Sequence, residues 1–243
     1  MRFLIKFSYD GTNYNGFQTQ PNLKTIQECM ENALTIINNG KKTSITSTGR
    51  TDKGVHALCQ YGHADIDVNI TEKKLKRAMN SNLPDDIHVI DTKIVDDNFH
   101  ARYNVKEKTY QYIINTGEYD PIERNYVFQY NYDLNIEAMA DAIKVFVGEH
   151  DFRAFVTDSK EKENCVRIIY YAAIEKRNDK ILITFRGNGF LRYQIRNMVG
   201  ILIKVGENKI STEDVERILE SKDRTTGGKT APAQGLYLTN IEY

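Results

Sequence analysis

The strongest constraint on this chain is a hydrophobic period that changes repeatedly along it, from every second residue to every third or fourth and back. Phe3, Ile5, Phe7 and Tyr9 alternate through RFLIKFSY, the pattern of a strand with one buried face, and DGTNY follows as a turn. Ile26, Met30, Ala33, Leu34 and Ile37 then recur at helical spacing between the Thr25 cap region and Asn39-Gly40. Thr43–Ser47 and Gln60–Asp67 read as strands flanking the segment STGRTDKGVHAL, and Thr71–Leu83 reads as a helix. The order to this point is β-α-β-β-α.

A second pass of similar elements follows. IHVIDTKIV and TYQYIIN are strands, Asn135–Phe146 is a helix, and CVRIIYYAAIEK and ILITFRG form a strand pair. Helices over Phe190–Lys204 and Thr212–Glu220 and a last strand, GLYLTNIEY, complete the chain. The fold class this implies is α+β, in two ferredoxin-like (RRM-like) halves, each an antiparallel sheet with helices on one face and with a cleft between them. Charge interrupts two strand-like runs near Asn104–Lys108, so the expected domains are 1–104, with the STGRTDKGVHAL loop, and 105–243.

At 243 residues, 40% hydrophobic and 27% charged, the chain is long enough for a real core and outside the disordered class. MRFLIKFSYD has too short an apolar stretch for a signal-peptide core and no run approaches a membrane span, which points to the cytoplasm and to no membrane partner. Cys29, Cys59 and Cys165 are odd in number and form no CxxC pair, so neither a disulfide framework nor a thiolate site is indicated. The 33 Lys+Arg balance 33 Asp+Glu, so a nucleic-acid partner would require basic and acidic surfaces to be segregated.

Three motifs fail on inspection. GGKT at 227–230 lacks the glycine that a phosphate loop needs five positions before Gly228, where Asp223 stands. Asp65, Asp67 and Asn69 begin like a calcium loop, but Ile70 and Lys76 replace its glycine and final glutamate. His56, Cys59 and His63 do not share a strand face and have no fourth ligand near in sequence, so no metal site is expected.

The segment Gly49-Arg50-Thr51-Asp52-Lys53-Gly54-Val55-His56-Ala57 joins two strands and holds an arginine and a carboxylate on a tight loop. From spacing alone a hairpin turn with a surface ion pair accounts for it better, since such pairs are common. On the late helix, Leu191, Ile195, Met198 and Leu202 form an apolar stripe, with Arg192 and Arg196 one turn apart on a neighbouring face. Alone that is a solvated face; beside a carboxylate loop it becomes an anion-binding wall.

The nonapeptide resembles the active-site motif of tRNA pseudouridine synthases of the TruA type, and four further segments match that family in order: YDGTNYNGFQTQ, FHARYNVKEKTYQYII, GNGFLRYQIRNMVG and GKTAPAQGLYL. The resemblance covers nearly the whole chain. It implies an isomerase that converts uridine to pseudouridine on the 3′ side of the anticodon stem-loop of tRNA, at positions 38 to 40, as a homodimer and without a cofactor. It places the nucleophile at Asp52, its arginine partner at Arg196, the base-contacting tyrosine at Tyr110 and an arginine that holds the flipped-out nucleotide at Arg50. Thr51, Lys53, His56 and Arg192 are expected to line the substrate site.

These roles suit the chemistry. The reaction cleaves the N1–C1′ bond and rejoins the base through C5, and a carboxylate can attack sugar or base, or stabilise charge at C1′. An opposing guanidinium keeps such a carboxylate ionised when desolvated, and an aromatic ring offers an extruded base a new stacking surface. Phe17, Lys53 and Arg192-Tyr193-Gln194 depart from the family pattern, which bears on the choice of uridines. The rival functions are a non-catalytic RNA-binding module, against which a carboxylate facing phosphates argues, and a glycoside or nucleoside hydrolase, which would want a second acid close in space, for which neither Asp10 nor Asp151 is clearly placed.

Overall fold

The computed structural model describes residues 1–156 and 164–243. The chain divides into two compact units, Met1–Lys106 with Tyr237–Tyr243, and Glu107–Leu236.

In the first unit β1 (Arg2–Tyr9), α1 (Ile26–Ile37), β2 (Thr46–Ser47), β3 (His56–Asp65), α2 (Glu72–Asn82) and β4 (Ile87–Val95) follow in order, and β10 (Leu236–Glu242) returns at the end of the chain. β1 pairs antiparallel with both β3 and β4, β2 lies antiparallel on β3, and β10 lies parallel to β3 with Tyr237 opposite His56. Along β1 every second residue is buried, and Phe3, Ile5 and Phe7 lose all exposure. Each contributes about 1.5–3 kcal/mol of burial, which fixes the strand's register because a one-residue slip would turn all of them to solvent. Helix α1 opens where the Thr25 hydroxyl accepts the Glu28 N–H, and it turns Met30, Ala33 and Leu34 inward; α2 turns in Leu75 and Met79 and packs on α1 and β4.

The second unit holds β5 (Glu107–Asn115), β6 (Phe128–Gln129), α3 (Ile136–Ala142), β7 (Gly148–Asp151), β8 (Val166–Arg177), β9 (Lys180–Gly187), α4 (Gln194–Gly206) and α5 (Thr212–Ser221). β5, β9, β8 and β7 are successive antiparallel neighbours, and β6 adds a short parallel pair to β5. Tyr110, Tyr112 and Ile114 share the buried face of β5. Helix α4 is buried along most of its length and packs on α3.

Three sequence expectations are corrected. The last strand belongs with the first unit, not with 105–243: it gives the edge of β3 a partner, Lys106 N–H donates to Glu242 O at 2.8 Å, and the Tyr243 hydroxyl meets Thr48 Oγ1 at 2.6 Å. Thr43–Ile45 is not strand, because Thr43 instead bonds to Thr35, Asn38 and Lys41 at the end of α1. The late helix begins at Gln194 rather than Phe190, since Tyr193 takes a left-handed backbone conformation, which leaves Arg192 ahead of the helix.

A clamped carboxylate loop and an arginine helix

In the first unit the segment from Thr48 to Val55 links β2 to β3 and is held at nearly every step. Thr48 N–H donates to Tyr61 O at 2.9 Å, and Gly49 O accepts from the Gln60 amide at 3.0 Å and the Ser47 hydroxyl at 3.1 Å. Thr51 O accepts the Phe17 N–H at 3.1 Å, and Thr51 Oγ1 lies 2.8 Å from the hydroxyl of Tyr9 in the interior. Burial pushes the Tyr9 hydroxyl up to about 12 although Thr51 and Gln60 bond to it, so it keeps its proton. Asp52 then opens a tight turn closed by Val55 N–H to Asp52 O at 3.2 Å, with Gly54 at φ +77° in the third place, where a type II turn needs it. Asp52 is thereby a half-buried carboxylate, the single acidic residue of the loop, on a backbone with little freedom.

The turn after β1 forms the other side of the clamp. At Gly11 a side-chain carbon would lie 2.0 Å from Val55 O, so only glycine lets the two loops touch. Gly11 N–H reaches His56 Nδ1 at 3.1 Å, and Asp10 Oδ1 lies 3.1 Å from the same nitrogen. The His56 ring stacks on Tyr237 with centroids 4.7 Å apart, and the residue is 2% exposed. His56 and Thr51, expected to face substrate, are therefore interior residues that shape the loop, whereas Arg50 and Lys53 stand exposed on it.

In the second unit Tyr110 is 8% exposed, its ring and that of Phe190 meeting edge to face with centroids 5.3 Å apart. Tyr112, two residues on, donates to Pro232 O at 2.7 Å, and burial raises its hydroxyl far above the ordinary tyrosine range. Arg196 leaves α4 with Nε donating to Ala231 O at 2.8 Å, while Ala231 N–H donates back to Arg196 O at 3.0 Å. One residue on, the Asn197 amide donates to Phe155 O at 2.6 Å and its oxygen accepts from Thr230 at 2.7 Å and Arg224 at 3.0 Å. Arg224 also donates to Gly228 O, and burial lowers its pKa from the ordinary arginine value.

The GKTAPAQG segment is thus stapled to α4 and fixes where Arg196 leaves it. From the sequence that segment has no assigned role; Tyr9 stands out only as a strand residue and, like Gly11 and Asn197, as part of a matching segment, and Arg224 not at all. Arg192, exposed ahead of α4, lies over the Tyr193 ring as Arg196 does. Among the described residues no three His, Cys, Asp or Glu side chains are grouped as metal ligands, and no helix is long and apolar enough to cross a membrane.

Comparison with known proteins bears on this geometry. The profile of a family described as tRNA pseudouridine synthase matches residues 5–104 and 142–243, which include Arg50, Asp52 and Arg196 but not Tyr110. The tRNA pseudouridine synthase A of Limosilactobacillus reuteri (strain DSM 20016) is 43% identical over 248 residues, covering 100% of this chain and 96% of that protein. The protein of the same name from Thermoanaerobacter sp. (strain X514) is 45% identical over 241 residues, with 99% and 98% covered. That of Streptococcus pneumoniae (strain 70585) is 42% identical over 245 residues, with 100% and 98% covered.

Proposed function

Because the chain belongs to the tRNA pseudouridine synthase family, we propose that it isomerises uridine to pseudouridine in the anticodon stem-loop of tRNA, with Asp52 as the nucleophile. The observation that carries this reading is the clamp on the Asp52 loop. A surface turn with an ion pair gains nothing from a buried Tyr9–Thr51 bond and a glycine contact that excludes any side chain, whereas a carboxylate that must meet one atom of an extruded nucleotide does.

In the reaction the N1–C1′ bond breaks, the base turns, C5 bonds to C1′, and the C5 proton is lost while N1 regains one. Atoms and electrons balance without a cofactor. Asp52 attacks the flipped-out nucleotide, and Arg196 is the cation assigned to keep that carboxylate ionised where water is excluded. Tyr110, 8% exposed, is the residue that the family resemblance assigns to contact the extruded base through the exposed part of its ring, and Arg50 holds the nucleotide from the exposed side of the loop. Thr51 and His56 act on substrate only through the loop they shape; Lys53 and Arg192 meet the RNA backbone. A cytoplasmic location would suit a tRNA substrate, and a homodimer would suit the family resemblance.

The test is tritium release from transcribed tRNA labelled at C5 of uridine, incubated with the pure protein without added nucleotide or metal. Release at the anticodon stem-loop is expected; its absence from every labelled tRNA, with binding intact, would make the chain an RNA-binding module instead.

A further inference from the structure

Tyr193 immediately precedes α4 at φ 62° and ψ −3°. A side chain crowds the backbone in this region, and glycine or asparagine holds such a position more cheaply. The use of tyrosine here therefore lies in its ring. Two guanidiniums lie over that ring, Arg192 with Cζ 5.0 Å and Arg196 with Cζ 5.2 Å from its centroid. An Arg192 Nη2–H also donates to the Tyr193 hydroxyl at 3.3 Å.

The electron-rich face of an aromatic ring attracts a guanidinium held over it. Arg196 is also fixed by Ala231, through both its side chain and its main chain. Arg192 is exposed, lies outside the helix, and belongs to the stretch Arg192-Tyr193-Gln194 that departs from the family pattern. A long, solvated arginine loses much rotamer freedom when it binds an anion, and a ring that restricts it beforehand removes part of that cost.

We propose that Tyr193 is a positioning residue for substrate RNA: its ring restricts the exposed Arg192 guanidinium, which receives a backbone phosphate. The inference rests on the tRNA substrate proposed above and adds to it a phosphate contact built on a tyrosine platform. Guanidinium suits the task because its planar fork matches two phosphate oxygens at once.

The experiment measures tRNA affinity across a salt series for the wild type, Tyr193→Phe, Tyr193→Asn, Arg192→Ala and the double variant Tyr193→Asn/Arg192→Ala. Asparagine suits the left-handed backbone, so folding of that variant is favoured, and a thermal melt checks it. The slope of log affinity against log salt should fall by about one for Tyr193→Asn and for Arg192→Ala, with no further fall in the double variant. Tyr193→Phe keeps the ring and should keep the wild-type slope. An unchanged slope in Tyr193→Asn, additive losses in the double variant, or a slope lost equally in Tyr193→Phe would each overturn the inference. Wild-type tritium release is read separately, so failure of the Tyr193 inference is distinguishable from failure of the functional reading.

Discussion

Tyr9→Phe removes one oxygen from the interior and isolates the clamp on the carboxylate loop. The lost hydroxyl lies 2.8 Å from Thr51 Oγ1, and Thr51 is only 8% exposed, so water does not readily take its place. Leaving a buried hydroxyl without its partner costs about 1–3 kcal/mol. Gln60, the other group bonded to the Tyr9 hydroxyl, loses less, because its amide nitrogen still donates to Gly49 O and its oxygen still accepts from Tyr61 N–H. The melting temperature of a domain this size should fall by about 2–4 °C per kcal/mol. The functional effect should be larger than the stability effect, since Thr51 precedes Asp52 directly and a displacement of about 1 Å at a reacting group can cost about a hundredfold in rate. Urea unfolding followed by circular dichroism, with single-turnover tritium release beside it, reads both. The decisive comparison is Tyr9→Phe/Thr51→Val, in which both polar partners are gone: its stability should recover toward wild type while its turnover stays low. Simple addition of the two single-variant losses would mean that the hydroxyls are not coupled and that the clamp does not act through this bond.

Asp52→Asn keeps the shape of the side chain and removes its charge and nucleophilicity, so turnover should disappear while tRNA affinity in a filter-binding assay stays equal or tightens; residual turnover above a tenth of wild type, about 1.4 kcal/mol, would place the nucleophile elsewhere. Tyr110→Ala should weaken binding by about 1–3 kcal/mol for the lost stacking surface, whereas Tyr110→Phe should bind normally, and full activity of Tyr110→Phe would limit the residue to stacking. Burial, with Arg2 and His100 adding to it, lowers the His63 pKa, and His63 Nδ1 accepts the Ala101 N–H at 3.1 Å. The unfolded chain therefore takes up the proton first, and stability present above pH ~6.5 should be lost as pH falls through that value toward the folded-state pKa. Urea midpoints measured across this range should depend less on pH in His63→Gln; an identical pH dependence would exclude His63 as the titrating group.

What the sequence reveals about this fold follows from which contacts are local. The alternation of Phe3, Ile5, Phe7 and Tyr9 marks β1 and its buried face because the period of a strand is carried by neighbouring residues, and IHVIDTKIV marks β4 for the same reason. The start of α4 is not legible this way. Leu191 is in phase with Ile195 and Met198, yet its N–H is taken by the Gln194 side chain and Tyr193 turns the backbone left-handed, a local choice that apolar spacing does not record. The place of β10 is hidden for a different reason: its partners, His56 and Ala57, lie at the far end of the sequence, and a strand pattern names no partner. The same division runs through the candidate site. Asp52, Arg50 and Arg196 are legible through motif resemblance, since each stands in a contiguous segment. The groups that give the Asp52 loop its fixed position come from elsewhere: Tyr9 from the end of β1, Gly11 from the turn after it, and Tyr237, behind His56, from the last strand. A motif therefore names a candidate for the reacting atom, while the restraint that a catalytic carboxylate requires is a property of how distant segments meet.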